Sequence, residues 1–416
     1  MTRTHQQQKS TAPYLAWLSV VLVFFFQYII RVAPGAMVSD LRQDFGFTAT
    51  EFSYLGAVFL YGYAVLQIPI GILIDRFGVR FITLASIVLC VLSTYLFAWT
   101  TQPWVAIGSR LLLGIGAAAP FICCLKIANE DIPEAYRGFF SGSILTVGTL
   151  GALCSGKPLS LLMTHFGWRG SLEIACLIGC GILIMSYAFL PKKQISSQGV
   201  STLSLSETLR AVRDIILDKK VMLYGVVAVG LYTPLSVLAD LWGAAFIMEK
   251  FKLSQAEAAQ LNLSIYAGMM IGSIVLAWLA QRLHKLNFMI RICGILLVAC
   301  FGLLLYGPQI PYFALAILLP MIGFLCGAEM ICFMGVTQLT AAQTLGMTLA
   351  LVNTLNMLGG ALLQKAIGFG LDWQWDGVLT EAGLRYYSTE QFMWSMTSLF
   401  VIMVVCILAS FKIKGR

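Results

Sequence analysis

Charge is scarce in this chain of 416 residues: Lys, Arg, Asp and Glu supply only 11% of it, about half the share of a water-soluble domain. Histidine is scarcer still. His5, His165 and His284 are scattered, and no cysteine pair has zinc spacing backed by them. There is no phosphate-binding Walker loop and no nucleophile set beside a base. These absences argue against a soluble enzyme, a metal centre and a self-contained ATP-driven pump. Neither cofactor nor metal is expected. What the chain has instead is 59% apolar residues and a mean hydropathy of +0.85. Its cysteines (90, 123, 124, 154, 176, 180, 293, 300, 326, 332 and 406) all fall in apolar stretches and read as small buried thiols.

A helix that crosses a bilayer needs about 20 apolar residues. Such runs occur at about 14–38, 51–73, 81–100, 103–126, 138–162, 170–190, 221–248, 256–281, 287–306, 311–337, 345–370 and 393–411. The expected fold is therefore an all-α polytopic membrane protein with twelve transmembrane helices in two pseudo-symmetric six-helix bundles. The first bundle is expected over 1–190 and the second over 221–416. A cytoplasmic linker, 191–220, joins them. In it Leu205, Leu209, Val212 and Ile216 have helical spacing, and Ser204 and Glu207 fit a capping box. That pattern predicts a short amphipathic helix on the membrane surface. The polar first ten residues are followed by a run too long for a signal peptide.

Net charge is +8, and its distribution follows topology. With the N-terminus inside, Arg3, Lys9, Arg76, Arg80, Lys126, Arg137, Lys192, Lys193, Arg210, Arg213, Lys219, Lys220, Arg282, Lys285, Arg291, Lys412, Lys414 and Arg416 are cytoplasmic. Only Arg42, Arg169, Lys250, Lys252 and Arg385 lie outside. This is the positive-inside bias, so no nucleic-acid partner is expected. Both termini are placed in the cytoplasm of a cell with an inner membrane. The outer loop 371–392 carries Trp373, Trp375, Tyr386 and Tyr387, which read first as interfacial anchors and second as part of an outer rim.

A shift of about 206 residues roughly superposes the two halves. Asp75-Arg76 then meets Gln281-Arg282, Lys157 falls near Lys365, and Arg31 falls near Asp240. Two such halves suggest a transporter with its site between them near the midplane.

The strongest local pattern is Gly71-Ile-Leu-Ile-Asp75-Arg76-Phe-Gly78-Val-Arg80, in the tight turn between spans 2 and 3. It resembles the G-x-L-x-D-R-x-G-x-R signature of the major facilitator superfamily. Arg110-Leu-Leu-Leu-Gly114-Ile-Gly116 in span 4 resembles a second motif of that superfamily. Nearly the whole chain resembles bacterial sugar-phosphate-permease-like and organic-anion members. The resemblance implies alternating access by a monomer, with Asp75 latching the halves on the cytoplasmic side. Physically, Gly71 permits close helix approach, and a carboxylate near the N-terminus of span 11 is favoured by its dipole. Gly71, Asp75, Arg76, Gly78, Arg80 and Arg110 are thus the expected conformational elements. The second-half copy has lost its acid to Gln281, so a symmetric latch there is not expected.

Charge inside a bilayer is costly and normally faces a cavity or a partner. Arg31, Arg110, Lys157, Asp240, Glu329 and Lys365 are the candidates. Four cations against two acids suggest an anionic substrate. A guanidinium presents a planar fork to carboxylate or phosphate, and the resemblance assigns that role in span 1 to Arg31. Gln27 and Tyr28 share its face. Lys157 and Lys365 sit near outer helix ends, where snorkelling is the leading reading and an outer anion funnel the second. Asp240 and Glu329 are the proton-coupling candidates, since buried carboxyls can load and unload protons near neutral pH. Asp240 also suits a gate paired with Arg31 or Lys365. Tyr61, Gln67, Asn353 and Asn356 complete an expected lining.

The leading functional reading is a secondary transporter of a small organic anion, carboxylate or phosphorylated, with protons as the expected coupling ion and exchange against another anion, which needs no titrating acid, as the alternative mechanism. Its partners are then a small-molecule substrate and membrane lipids. An exporter of hydrophobic compounds is the alternative, weakened because Lys157 interrupts the Gly-Pro pair of span 5. A carrier of amino acids or short peptides is another, since Arg31 with an acid can hold both ends of a zwitterion. A receptor that keeps the fold without transport is disfavoured by the intact Asp75, Arg76 and Arg110.

Overall fold

The computed structural model describes residues 12–191, 205–341 and 344–413, and within them the side chains of all but Asp75 and residues 205–209. Six cations used above for orientation (Arg3, Lys9, Lys192, Lys193, Lys414 and Arg416), the Ser204–Glu207 capping box and the Asp75 side chain fall outside the described residues.

The described chain folds as twelve crossings. Span 1 is Ala12–Ala36, and a short helix Val38–Phe45 follows it. Helices Ala49–Gln67 and Pro69–Trp99 supply spans 2 and 3, because the second breaks at Gly78. There φ is 81°, a backbone conformation that costs only glycine little. Span 4 is Pro103–Glu130. The stretch Glu134–Phe189 is also two crossings, turning at Gly167 with φ 65°. These are spans 5 and 6. The remaining spans, 7 to 12, are Lys219–Phe251, Gln255–Leu283, Leu286–Tyr306, Tyr312–Leu339, Leu345–Trp373 and Thr389–Ser410. Spans 1–6 are called the first set below and spans 7–12 the second.

Two ends of the bundle follow from this order. One carries the Gly78 turn and the N-terminal ends of the odd-numbered spans, and is called the motif end. The other carries Val38–Phe45 and the 374–388 connection, and is called the loop end. Three spans that start at the loop end begin with complete capping boxes: Thr48 with Glu51, Ser254 with Glu257, and Ser388 with Gln391. Each satisfies two otherwise orphaned backbone donors. Spans 8 and 10 pack backbone to backbone, since a Cβ at Gly268, Gly272, Gly323 or Gly327 would overlap the opposing main chain. Such contact is how helices hold together without a hydrophobic driving force between them.

Three expectations are corrected. The linker helix is Leu205–Leu217, and it packs against spans 7 and 11. Among its described side chains Ile215, not Ile216, enters the core, and Ile216 is exposed. Eight cysteines are buried, but Cys180 is exposed and Cys154 and Cys300 are half-buried. These three lie on helix surfaces that no other helix covers fully. The loop tyrosines are structural rather than interfacial: Tyr387 is buried and Tyr386 bonds to Glu249, while Trp373 alone of the four is largely exposed, at 80%.

Candidate functional site

Span 7 is not regular. After Pro234 its backbone widens into a π-helix, Leu235–Trp242, a form that frequently marks functional sites. Its carbonyls also accept from side chains of neighbouring spans. Asn262 of span 8 donates to Leu238 and Ala239 at 2.9 and 3.3 Å, and Gln364 of span 11 donates to Ser236 at 2.6 Å. Non-helical backbone is tolerated at membrane depth when it is buried and satisfied in this way.

The wide turn presents Asp240 to span 1. Arg31 Nη2 donates to Asp240 Oδ2 at 2.7 Å, and Nε donates to the same oxygen at 3.2 Å. Both side chains are only 5% exposed. Arg31 Nη2 also donates to the Tyr232 hydroxyl at 2.6 Å, and Tyr266 donates to Asp240 Oδ1. The guanidinium lies 5.4 Å from the Tyr28 ring centroid and 5.6 Å from that of Phe59. A buried ion pair is thus held by two phenols and two aromatic faces, with Arg31 from the first set and the other polar members from the second. Arg31 Nη1 donates to no described residue.

Around this pair the predicted residues fall into two groups. Glu329 is buried, accepts from Asn356 Nδ2, and lies within electrostatic reach of Arg31 and Tyr28. Its second oxygen, the Asn356 carbonyl oxygen and both amide atoms of Gln27 are buried without a described hydrogen-bond partner. Gln27 is one helical turn from Arg31. Asn353 Nδ2 donates to Gln67 Oε1 at 3.0 Å, joining spans 11 and 2. Tyr61 is half-buried and packs on the core without a described bond.

The second group stands elsewhere. Lys157 and Lys365 are both exposed, and Lys365 lies over the Tyr54 ring at 5.4 Å. Lys157 and Lys365 are therefore not members of the buried cluster; their exposure agrees with snorkelling, the leading expectation for both. Arg110 is 2% exposed, and all three of its nitrogens are spent on carbonyls: Nε on Leu55 at 3.1 Å, Nη1 on Ile30 at 2.8 Å and Nη2 on Arg31 at 2.7 Å. It staples spans 1, 2 and 4 behind Arg31. In the turn motif Arg80 donates to the Leu190 and Tyr187 carbonyls, while Arg76 is exposed. No heavy atom of a described residue would lie within 4 Å of a Cβ on Gly71. No described residue of another helix makes the close approach expected at Gly71.

At the loop end they are locked. Asp372, at the end of span 11, accepts from the backbone N–H of Thr50 at 2.7 Å and of Ala49 at 3.2 Å. It thereby caps the first turn of span 2 across the two sets, where a carboxylate meets the positive end of the helix dipole. Tyr387 donates to the same carboxylate, as does Arg385 at 3.2 Å. Burial pushes the Tyr387 phenol up from its usual range, so it stays a donor. Arg42 donates to the Arg385 carbonyl at 2.6 Å, and Gln255 to Ala36 O and Asp40 at 2.8 and 2.9 Å. None of these contacts was expected from the sequence, nor were Tyr232 and Tyr266. Tyr232 offered one usable signal, standing eight residues before Asp240 in the same apolar run. Among the described residues no group of three His, Cys, Asp or Glu could hold a metal.

A family model described as Major Facilitator Superfamily matches residues 17–363. A cis,cis-muconate transport protein of Acinetobacter baylyi is 22% identical over 284 residues, covering 64% of this chain and 67% of that one. A gentisate transporter of Corynebacterium glutamicum is 21% identical over 311 residues, covering 72% and 70%. Three further curated relatives are matched over only 36–41% of their length. A solved bacterial homologue of the human lysosomal transporter Spinster, inward-facing and unoccupied, superposes with a TM-score of 0.78 at 16% identity, over 98% of this chain and 99% of that one. The chain belongs to the Major Facilitator Superfamily. It is a multi-pass membrane protein, and family and relatives together point to a transporter rather than an enzyme.

Proposed function

We propose that this protein is a secondary transporter that moves a small organic anion across the cytoplasmic membrane by alternating access, with a proton as coupling ion. The observation that carries the reading is the buried Arg31–Asp240 pair between the two sets. Asp240 is a carboxylate on a guanidinium, which is the arrangement an incoming organic anion would make. Substrate and Asp240 therefore compete for Arg31. A proton delivered to Asp240 removes its charge and frees Arg31 for the substrate. Tyr232 and Tyr266 hold the two groups in register meanwhile. Two relatives are named for organic anions of different charge, the dicarboxylate muconate and the monocarboxylate gentisate; they support an organic anion as substrate and do not set its charge. Gln27, Tyr28, Gln67, Asn353 and Asn356 line the path, Glu329 is a second proton candidate, and Lys157 and Lys365 drop out of the binding set.

The orientation follows the charge bias, with both termini in the cytoplasm and the motif end inside. The conformation is then open to the cytoplasm and closed outside by Asp372. The two bundles, 1–190 and 221–416, move as units about the linker, and the carrier works as a monomer. The test is uptake into proteoliposomes under an imposed pH gradient. Organic-anion uptake that rises with an inward proton gradient, collapses with an uncoupler and is lost in Arg31→Gln supports the reading. Uptake of the same anion that ignores the gradient in wild type and survives in Asp240→Asn overturns the coupling role of Asp240.

A further inference from the structure

The charge inventory of the interior restricts the substrate further than its sign. Five described charged side chains are buried: Arg31, Arg110, Lys250, Asp240 and Glu329. Two of the three cations are already spent on main chain. Arg110 holds three carbonyls as described above, and Lys250 Nζ donates to Leu304, Leu305 and Gly307 at 2.8, 2.9 and 3.0 Å. Each has all of its donor nitrogens engaged in ordering its own set. One cation, Arg31, is left for a ligand, and Asp240 already balances it. The second buried acid, Glu329, makes no described salt bridge and accepts only from Asn356.

From this inventory, and resting on the reading of Arg31 as the anion anchor, we infer that the substrate is a hydroxylated monocarboxylate carrying one negative charge. A second charge on the ligand would meet no free cation and, whenever Glu329 is ionised, would be repelled by its carboxylate. An unpaired charge in a dry site is far costlier than one in water. The uncharged groups sort the same way. Three buried acceptors of this cluster have no described partner, Glu329 Oε2, Asn356 Oδ1 and Gln27 Oε1, against two donors, Gln27 Nε2 and the Arg31 Nη1 left for the carboxylate. A ligand rich in hydroxyl donors satisfies that set. An alkyl or unsubstituted aromatic acid leaves it unsatisfied, and sites with buried polar groups reject such analogues strongly. Dicarboxylates and phosphate esters, which carry two charges at neutral pH, are excluded on the first ground.

The experiment is ligand affinity by thermal stabilisation of the purified full-length protein at pH 7.5. The probes are gluconate and 2,5-dihydroxybenzoate, their hydroxyl-free counterparts hexanoate and benzoate, the dianions glucarate and glucose 6-phosphate, and the zwitterion serine. The expected result is that at least one hydroxylated monocarboxylate binds, and binds ten-fold or more tightly than its hydroxyl-free counterpart and than either dianion. Glu329→Gln should then narrow the gap between gluconate and glucarate, a change that a merely structural role for Glu329 would not produce. Equal or tighter binding of a dianion, of a hydroxyl-free acid or of serine overturns the inference, as does a panel with no binder at all. Arg31→Gln separates the two levels. If it abolishes binding of whichever anion the wild type prefers, the anchor stands even where the class falls. If binding of that anion is unchanged, the anchor itself falls.

Discussion

The two ends of the bundle face opposite problems and solve them with different parts. At the loop end, helices of the two sets meet so closely that glycine is required. A Cβ on Gly35 would stand 2.8 Å from the Asp240 carbonyl oxygen, and one on Gly368 would stand 2.6 Å from that of Ala49. At the motif end, Gly71 and Gly346 have no described neighbour within 4 Å of the same position. Yet the motif end carries the residue pattern that marks the family, and the loop end carries none. A family signature therefore does not report which contacts hold the conformation in view. Here the contacts that hold it are a carboxylate on two backbone N–H groups and a buried ion pair.

The sharpest way to break this asymmetry is at the pair itself. Arg31→Gln leaves Asp240 buried without its cation, which costs about 3–5 kcal/mol when an ion pair is broken from one side. The expected outcome is a lower melting temperature together with loss of anion flux. Asp240→Asn should lose proton-driven flux as well, and a variant that keeps gradient-dependent uptake would refute the exchange.

Next in size is the loop-end cap. Asp372→Ala removes the bonds to Thr50, Ala49, Tyr387 and Arg385, so the loop end should open more often. A cysteine introduced by Ser53→Cys, at a position now fully buried, should react about ten-fold faster with an impermeant thiol reagent in the Asp372→Ala background. That ratio corresponds to about 1.4 kcal/mol. An unchanged rate would mean that the cap does not hold the closure.

A third comparison sets glycine against glycine. Gly368→Ala pushes a methyl group into the Ala49 backbone and should cost about 1–3 kcal/mol. Gly71→Ala enters open space and should stay within about 0.5 kcal/mol. Thermal stability of the two variants side by side measures this, and equal losses would mean that the motif end is packed after all.

The smallest effect concerns the rim. Its bond to Glu249 raises the Tyr386 phenol to about 12, above the ordinary value near 10. A group raised on folding contributes stability that is complete below its unfolded value and fades as pH climbs through the folded one. Trypsin cleavage at Arg385 should therefore be constant up to about pH 9 and rise only as pH approaches 12. Tyr386→Phe should remove that rise.

How far the sequence reached follows from what kind of signal each feature leaves. The spans were legible because about 20 apolar residues are needed for each crossing, and a soluble fold seldom needs a run of that length. Gly78 was legible as part of the turn motif between spans 2 and 3, while Gly167 was marked only by the gap between the runs 138–162 and 170–190. Arg31, Asp240 and Glu329 stood out because charge is rare in such runs. Which of them pair was left open between Arg31 and Lys365, since helix rotation decides it and only packing fixes rotation. The π turn that aims Asp240 has no sequence mark. Tyr232 and Tyr266 are hydrogen-bonding groups that look apolar in a hydropathy plot. The loop-end cap was illegible for a different reason: Asp372 and Ala49 are 323 positions apart, and the groups it holds are main-chain N–H, which every residue but proline has.

The buried pair has a last consequence, for bioenergetics. A cell membrane holds a voltage, and each net elementary charge carried through 100 mV gains or loses about 2.3 kcal/mol. A carrier that admits one monoanion for each proton placed on Asp240 carries no net charge through the field. Such a carrier would run on the pH difference alone, indifferent to voltage, and potassium–valinomycin clamping of vesicles would leave its rate untouched.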